Sequence, residues 1–234
     1  MADTAQAASV VLDADDGHRL NRRMRDLVDG GAREIAVDNP RSRHNLGVGQ
    51  HGPGTIRFDG SVGYYCGGLN NGAEIIVSRS AGWGTGEAMS SGRIEIGGTC
   101  ALGTGASMRG GTIVVRGNCG PRTAANMKGG TLIVQGSVGY LAGFMTHAGD
   151  LIVCGDAGEA LGDSLWAGNI WVAGKIAGLG ADAMVVEPTD DETARIHGLL
   201  AAEGIDATFT FKKVVAERKL WYFDARDPEA WLKV

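Results

Sequence analysis

Apolar residues recur along this chain every 19 residues, and each recurrence carries the same local pattern of apolar and turn positions. Two apolar residues flank one intervening residue, and a turn residue, usually glycine, follows two positions later. The first apolar position holds Ile56, Ile75, Ile94, Ile113, Leu132, Leu151 and Ile170; the second holds Phe58, Val77, Ile96, Val115, Val134, Val153 and Val172. Alternation with a period of two predicts a short strand, and a fixed period over many units predicts a solenoid.

Other positions of the unit repeat as well, and they narrow the type of solenoid. A small apolar position is occupied by Val62, Ala81, Cys100, Cys119, Val138, Ala157 and Ile176, and a glycine position by Gly67, Gly86, Gly105, Ala124, Gly143, Gly162 and Ala181. Each unit therefore contains two or three short strands, which is one coil of a parallel β-helix. A left-handed helix built on hexapeptides is the competing form, but its coils have about 18 residues. The sequence predicts an all-β, right-handed parallel β-helix of seven 19-residue coils, about 34 Å long.

The segments before and after the repeat have different patterns, which predict caps at both ends of the β-helix. Residues 1–40 are expected to form an N-terminal tail, disordered over its first eight residues, with a capping helix at 16–29 and a strand at 34–37. Residues 41–185 form the coils. The caps protect the terminal coils, whose unpaired backbone would otherwise invite aggregation.

Residues 186–234 are expected to form a C-terminal arm of one helix and two strands. Thr189 and Glu192 form a capping-box pattern before a helix that Gly204 ends. Strands are predicted at 207–215 and 220–223.

Composition excludes several classes of function. Apolar residues make up 44% of the chain, and glycine occurs 39 times, against about 16 expected at average usage. A net charge of −5 argues against a nucleic-acid-binding protein. The chain shows no membrane span or export signal, and its four cysteines lack metal-site spacing, so we expect a cytoplasmic protein with free thiols.

Candidate chemistry is sparse, and we expect no catalytic, cofactor-binding or metal-binding residue in this chain. Glycine-rich strings such as residues 103–107 belong to the repeat and lack the context of a phosphate-binding loop. His44 and His51 share one loop region but not a ligand-like spacing. Cys100 and Cys119 should stack on adjacent coils, either as buried small hydrophobes or, less in keeping with their surroundings, as a reactive pair.

Two repeat positions predict contacts outside the coils. The position between the paired apolar residues becomes apolar in the later coils, at Ile133, Ile152 and Trp171, although alternation predicts a polar residue there. Either a terminal arm or a partner subunit should cover that column. The other column places Arg109, Lys128 and His147 on three adjacent coils. It is either a solvated stripe or a surface that meets an acidic partner or an anion.

The repeat resembles the GXGXG domain found at the C-terminus of the large subunit of glutamate synthase. The resemblance covers roughly residues 35–185 and is carried by GSVGYYCGG at 60–68, CGDAGEALGD at 154–163 and GLGAD at 178–182. In that family the domain is a right-handed β-helix without catalytic residues, and it braces a glutaminase domain against an FMN-binding synthase domain. A stand-alone chain of this size is similar to the GXGXG subunits of N-methylglutamate synthases.

The resemblance implies a function and a set of partners. It implies a non-catalytic scaffold subunit in a hetero-oligomer with a glutaminase-like amidotransferase subunit and an FMN-binding synthase subunit. That complex would make N-methylglutamate and ammonia from glutamate and methylamine. FMN, with or without an iron–sulfur cluster, would belong to the synthase subunit. Alternatives are a β-helix subunit of ordinary glutamate synthase or of another oxidoreductase such as formylmethanofuran dehydrogenase, or an independent acyltransferase or polysaccharide-cleaving enzyme.

Overall fold

The computed structural model describes residues 9–13 and 17–217, which form 11 strands and two helices. The elements in chain order are β1 (Ser9–Asp13), α1 (Gly17–Asp29), β2 (Glu34–Asp38), β3 (Thr55–Asp59), β4 (Asn71–Val77), β5 (Ser91–Ile96), β6 (Thr112–Val115), β7 (Lys128–Val134), β8 (Ala148–Val153), β9 (Asn169–Val172), β10 (Ala183–Val186), α2 (Asp190–Ala202) and β11 (Lys212–Ala216). None of the helices in these ranges is long and apolar enough to cross a membrane.

The strands β1 to β9 stack in sequence order as one parallel sheet, and this arrangement confirms the predicted β-solenoid. From β3 onward the register equals the sequence period, since Ile75 pairs with Ile94 and Ile94 pairs with Ile113. The strand predicted at 34–37 is β2, which forms a partial first coil and pairs with β3. Before it, β1 adds one more parallel strand that the repeat pattern did not predict.

A second stack of residues lines the interior on another side of each coil. Residues at the small apolar position form isolated parallel β-bridges between adjacent coils, including Ala81 with Cys100 and Cys100 with Cys119. Together with the paired apolar residues of the strands it makes one continuous core along the coils. Burial of identical positions on every coil is the physical reason for the strict period, because one inserted residue would turn the apolar set outward.

The glycine position forms a turn that runs through the left-handed region. At Gly86 φ is +68°, and an added Cβ would lie 2.4 Å from Cδ1 of Ile113. Both the backbone and the space therefore require glycine at this point. Ala124 occupies the same position with φ +58° and is fully buried, so one coil accommodates a methyl group there.

The N-terminal cap is the helix α1, which confirms the prediction at 16–29. Its buried side chains Leu20, Met24 and Val28 join the solenoid core. Asn21 adds directional contacts, because its amide donates to the carbonyl of Asn45 and its oxygen accepts from the backbone of Gly47. The helix thus closes the apolar end of the first coil.

The C-terminal arm differs in part from its prediction. The helix α2 begins after Thr189 with the predicted capping box and ends before Gly204. The predicted strand at 207–215 is wrong over its first half, since 205–211 are irregular and β11 covers Lys212–Ala216. That strand lies antiparallel between β9 and β10 and so closes the last coil. The strand predicted at 220–223 and the disorder predicted for the first eight residues lie outside the described residues.

Candidate functional site

The apolar outward column of the later coils is covered by the chain's own C-terminal arm. Ile133, Ile152 and Trp171 are almost fully buried, at 0–1% exposure. They pack, together with Val114, against Ile196, Leu200, Ile205 and Phe211 of α2 and the segment after it. The sequence left two coverings open, and the structure shows the intramolecular one. These three side chains are therefore interior residues of this chain, not exposed contact residues.

Polar contacts fix the first half of α2 over this column. Arg195 forms two hydrogen bonds with the Asp150 carboxylate, at 2.8 and 2.9 Å, and the indole of Trp171 donates to the same carboxylate at 2.8 Å. Arg195 and Lys213 also lie over the Trp171 ring, 5.7 and 5.3 Å from its centre. Burial by itself would raise the pKa of Asp150, but the hydrogen bonds from Arg195 and Trp171 outweigh it and hold that pKa below its usual value.

A second charged cluster holds the end of α2. The guanidinium of Arg93 contacts the carboxylates of Glu203 and Glu95, each at 2.6 Å, and Arg116 donates to the backbone carbonyl of Glu203. Burial raises the pKa of Glu95, but hydrogen bonds from Arg93 and Arg116 reverse that effect and lower it. Because Arg195 contacts β8 and Glu203 contacts β5, the helix lies lengthwise across several coils.

The cationic column predicted from the repeat exists in the structure. The backbone N–H groups of Arg109, Lys128 and His147 each donate at 2.7 Å to the preceding coil, so their side chains start one coil apart. Arg109 and Lys128 are exposed, and His147 stacks against Trp166 with ring centres 6.2 Å apart. Within residues 17–217, no carboxylate forms an ion pair with Arg109 or Lys128.

An exposed aromatic column is the feature that sequence reasoning missed. His44, Tyr64 and Trp83 stack ring on ring, with centres 4.2 and 4.9 Å apart. The column continues at 19-residue spacing through Leu102 to Tyr140, and its large apolar members are 38–54% exposed. The spacing was visible in the sequence. The variety of residue types concealed the column, because aromatic, aliphatic and proline residues alternate along it.

A cavity of about 430 Å³ lies beside this aromatic column. Its lining combines Trp83 and Leu102 with small residues and with two charged side chains, Glu87 and Arg122. Burial, a hydrogen bond to Glu87 and the charge of that carboxylate together raise the pKa of Tyr65, which also lines the cavity.

The cysteines are packed as small core residues. The backbones of Cys100 and Cys119 pair on adjacent coils as predicted, and all four cysteines are buried with free thiols. Burial raises the pKa of Cys66 and Cys119 well above the ordinary thiol value and that of Cys154 to about 11. The thiols of Cys66, Cys119 and Cys154 are therefore protonated near neutral pH, which disfavours a nucleophilic role for them.

Histidines and carboxylates do not cluster as metal ligands in the part of the chain that the structure describes. His44 accepts a hydrogen bond from the backbone of Tyr64, and His51 contacts Asp29 at 3.1 Å. The two loop histidines therefore have separate partners.

Comparison with known proteins finds a similar fold in a solved structure and a short stretch of similar sequence in a relative. No family model matches the chain. Protein GlxC of Rhizobium meliloti is 49% identical over 53 residues, which is 23% of this chain and 23% of that relative's length. A chain of the formyltransferase/hydrolase complex FhcABCD from Methylorubrum extorquens, solved with methylofuran, superposes with a TM-score of 0.67 at 23% identity, covering 74% of this chain and 68% of that one. At that identity the likeness shows the fold alone.

Proposed function

We propose that this chain is a non-catalytic structural subunit of a multi-subunit, glutamate-synthase-like enzyme, and specifically of an N-methylglutamate synthase. The observation that carries the proposal is the exposed column of Tyr64, Trp83, Leu102 and Tyr140. Contiguous exposed apolar side chains usually mark a contact surface, and tyrosine and tryptophan are enriched at protein interfaces. The resemblance of the repeat to the GXGXG domain and the fold shared with a chain of a multi-subunit complex support the same reading.

The proposed partners are a glutaminase-like amidotransferase subunit and an FMN-binding synthase subunit in the cytoplasm. The complex would make N-methylglutamate and ammonia from glutamate and methylamine, with FMN, and any iron–sulfur cluster, held by the synthase subunit. This chain would act by position. Each inner coil is hydrogen-bonded to both neighbours, so the solenoid is a stiff spacer that sets the distance and orientation of its partners.

The cationic column would contribute a polar contact in this complex. Stacked like charges destabilise the isolated chain, and an acidic partner surface would relieve that repulsion. We expect the double variant Arg109→Glu/Lys128→Glu to lower partner recovery about tenfold, by analogy with charge pairs at interfaces. Arg79→Glu, at an exposed arginine of another column, is the matched control and should have no effect. Equal recovery of partners by the double variant and the control would remove the column from the interface.

The deciding experiment is a tagged pull-down from the native host, with mass spectrometry and an absorbance spectrum of the eluate. A yellow complex that contains a glutaminase-like and a flavin-binding chain, and that forms N-methylglutamate from methylamine and glutamate, would support the proposal. A colourless chain recovered alone would contradict it.

A second candidate is a β-helix subunit of another multi-subunit enzyme, because the chain shares its fold with a chain of a formyltransferase/hydrolase complex. The same pull-down separates the two, because it identifies the recovered partner. Turnover of an acyl donor or a polysaccharide by the isolated chain would instead indicate an independent enzyme.

A further inference from the structure

The cavity beside the aromatic column arises from a gap in an otherwise repeated position. Tyr65, Gly84, Gly103 and Arg122 occupy equivalent places on four successive coils, and each backbone N–H donates to the following coil. Tyr65 and Arg122 carry large side chains, whereas the two glycines between them carry none. Tyr65 and Arg122 therefore bound the two ends of a depression, which Trp83 and Leu102 flank along one side.

The two glycines of this gap differ in the space around them, since a Cβ added at Gly84 would lie 3.0 Å from Oε2 of Glu87 and 3.1 Å from Cδ2 of Tyr65. A Cβ added at Gly103 would meet nothing closer than the Gly84 nitrogen at 3.9 Å. The backbone is left-handed at Gly103, with φ +74°, but Tyr65 and Arg122 adopt φ +63° and +57° at the same position of their own coils. A larger residue is thus compatible with the backbone and the space at Gly103. The depression remains open although a side chain would fit there.

Two charged side chains lie at opposite ends of the cavity. Glu87 lies beside Tyr65 and Gly84, and within residues 17–217 no cation forms an ion pair with its carboxylate. Arg122 is exposed, and within residues 17–217 no carboxylate forms an ion pair with it. The cavity therefore offers apolar walls, a carboxylate at the Tyr65 end and a cation at the Arg122 end. An occupant that complements the Arg122 end has an apolar body and a carboxylate.

We propose that this cavity receives a large apolar side chain of a partner subunit whose neighbouring carboxylate pairs with Arg122, an inference that rests on the proposed function. The volume of about 430 Å³ suits one large side chain as an anchor. The exposed column extends beyond the cavity to Tyr140. A surface longer than the cavity fits a polypeptide segment, whereas a small molecule would contact the cavity alone.

The first test uses the full chain in the native host complex. Ala106 lines the cavity, so Ala106→Phe should fill it and lower flavoprotein recovery at least about tenfold, the loss expected when an interface anchor is excluded. The conservative Ala106→Ser should retain the partner. Arg122→Glu should weaken recovery and Arg122→Lys should preserve it. Full recovery of the flavoprotein by Ala106→Phe would overturn the inference while leaving the proposed function intact.

A photocrosslinker identifies the occupant. Benzoylphenylalanine in place of Leu102 should crosslink to a partner peptide that contains a large apolar residue next to Asp or Glu. A crosslink to a second copy of this chain, or to a segment without such a pair, would contradict the proposed occupant.

The second test uses the isolated chain and does not depend on any partner. Anilinonaphthalene sulfonate combines an apolar ring system with an anionic group, which matches the chemistry of the cavity. Its fluorescence should rise with the wild-type chain and with Arg79→Glu, and should fall in Ala106→Phe and Arg122→Glu, with circular dichroism confirming that each variant is folded. Equal dye binding by all variants would overturn the inference. Dependence on both residues, in a chain that captures no flavoprotein, would support the cavity chemistry while the proposed function fails.

Discussion

Two outward-facing columns of this solenoid carry large apolar side chains, but one column is buried and the other is exposed. Val114, Ile133, Ile152 and Trp171 are fully covered by the C-terminal arm of the chain. Tyr64, Trp83, Leu102 and Tyr140 are 38–54% exposed. The first column breaks the expectation that outward positions of a strand are polar, whereas the residues of the second column lie in the turns between strands. An apolar outward column therefore indicates a contact surface. Whether this chain covers the column itself depends on whether another of its segments reaches that side of the coils.

The reach of the arm explains the difference. The helix α2 follows the last coil directly and lies lengthwise over the strand face, where Asp150, Arg93 and Arg116 fix it. The aromatic column lies on another side of the coil, away from these anchors, and no described segment crosses it. We conclude that the first column stabilises the fold and the second is available to a partner.

The most disruptive change would break both columns at once. One residue inserted between Val134 and Gly136 shifts the register, so that side chains meant for the core turn outward in the following coils. We expect complex assembly to be lost before any chemistry is affected, as measured by partner recovery in the pull-down. Recovery of an intact, active complex from this insertion would refute the role of the register.

Replacing one tryptophan of each column by alanine measures how much each column contributes to the free energy of unfolding. Trp171→Ala removes a fully buried ring beneath Arg195 and Lys213, and should lower the free energy of unfolding by about 3–5 kcal/mol. Trp83→Ala removes a half-exposed ring stacked on Tyr64, and should cost about 1 kcal/mol or less. Urea unfolding of both variants checks this. Similar losses of stability would mean that the two columns are equivalent.

The smallest effect concerns the charge that fixes the arm. The pKa of Asp150 is lowered in the folded protein from its ordinary 3.8, so its contribution to stability is present above that value and is lost as pH falls through the lowered pKa. Asp150→Asn should therefore cost about 1 kcal/mol at neutral pH, because Arg195 is partly exposed. The melting temperatures of the two proteins should converge in acid. A difference that is independent of pH would contradict this assignment.

Particular residues show how much of the structure could be predicted from the sequence. The coil register followed from the isoleucine and valine positions, because burial repeats on each coil. The helix after Thr189 followed from its capping box. The segment 207–211 was expected to be strand, and it is irregular because this part of the chain covers the outward column through Ile205 and Phe211. Its apolar residues signal burial but not the conformation in which they are buried.

The sequence by itself determined the solenoid, its 19-residue coil, its glycine turns and the alignment of Arg109, Lys128 and His147, because each depends on neighbours at a fixed offset. Only the tertiary structure decided which apolar column is covered, where the cavity opens and which charges remain unpaired. Those outcomes depend on segments far apart in the chain, Arg93 with Glu203 or Asp150 with Arg195. Local patterns specify each partner of such a pair, and the folded arrangement determines which of them meet.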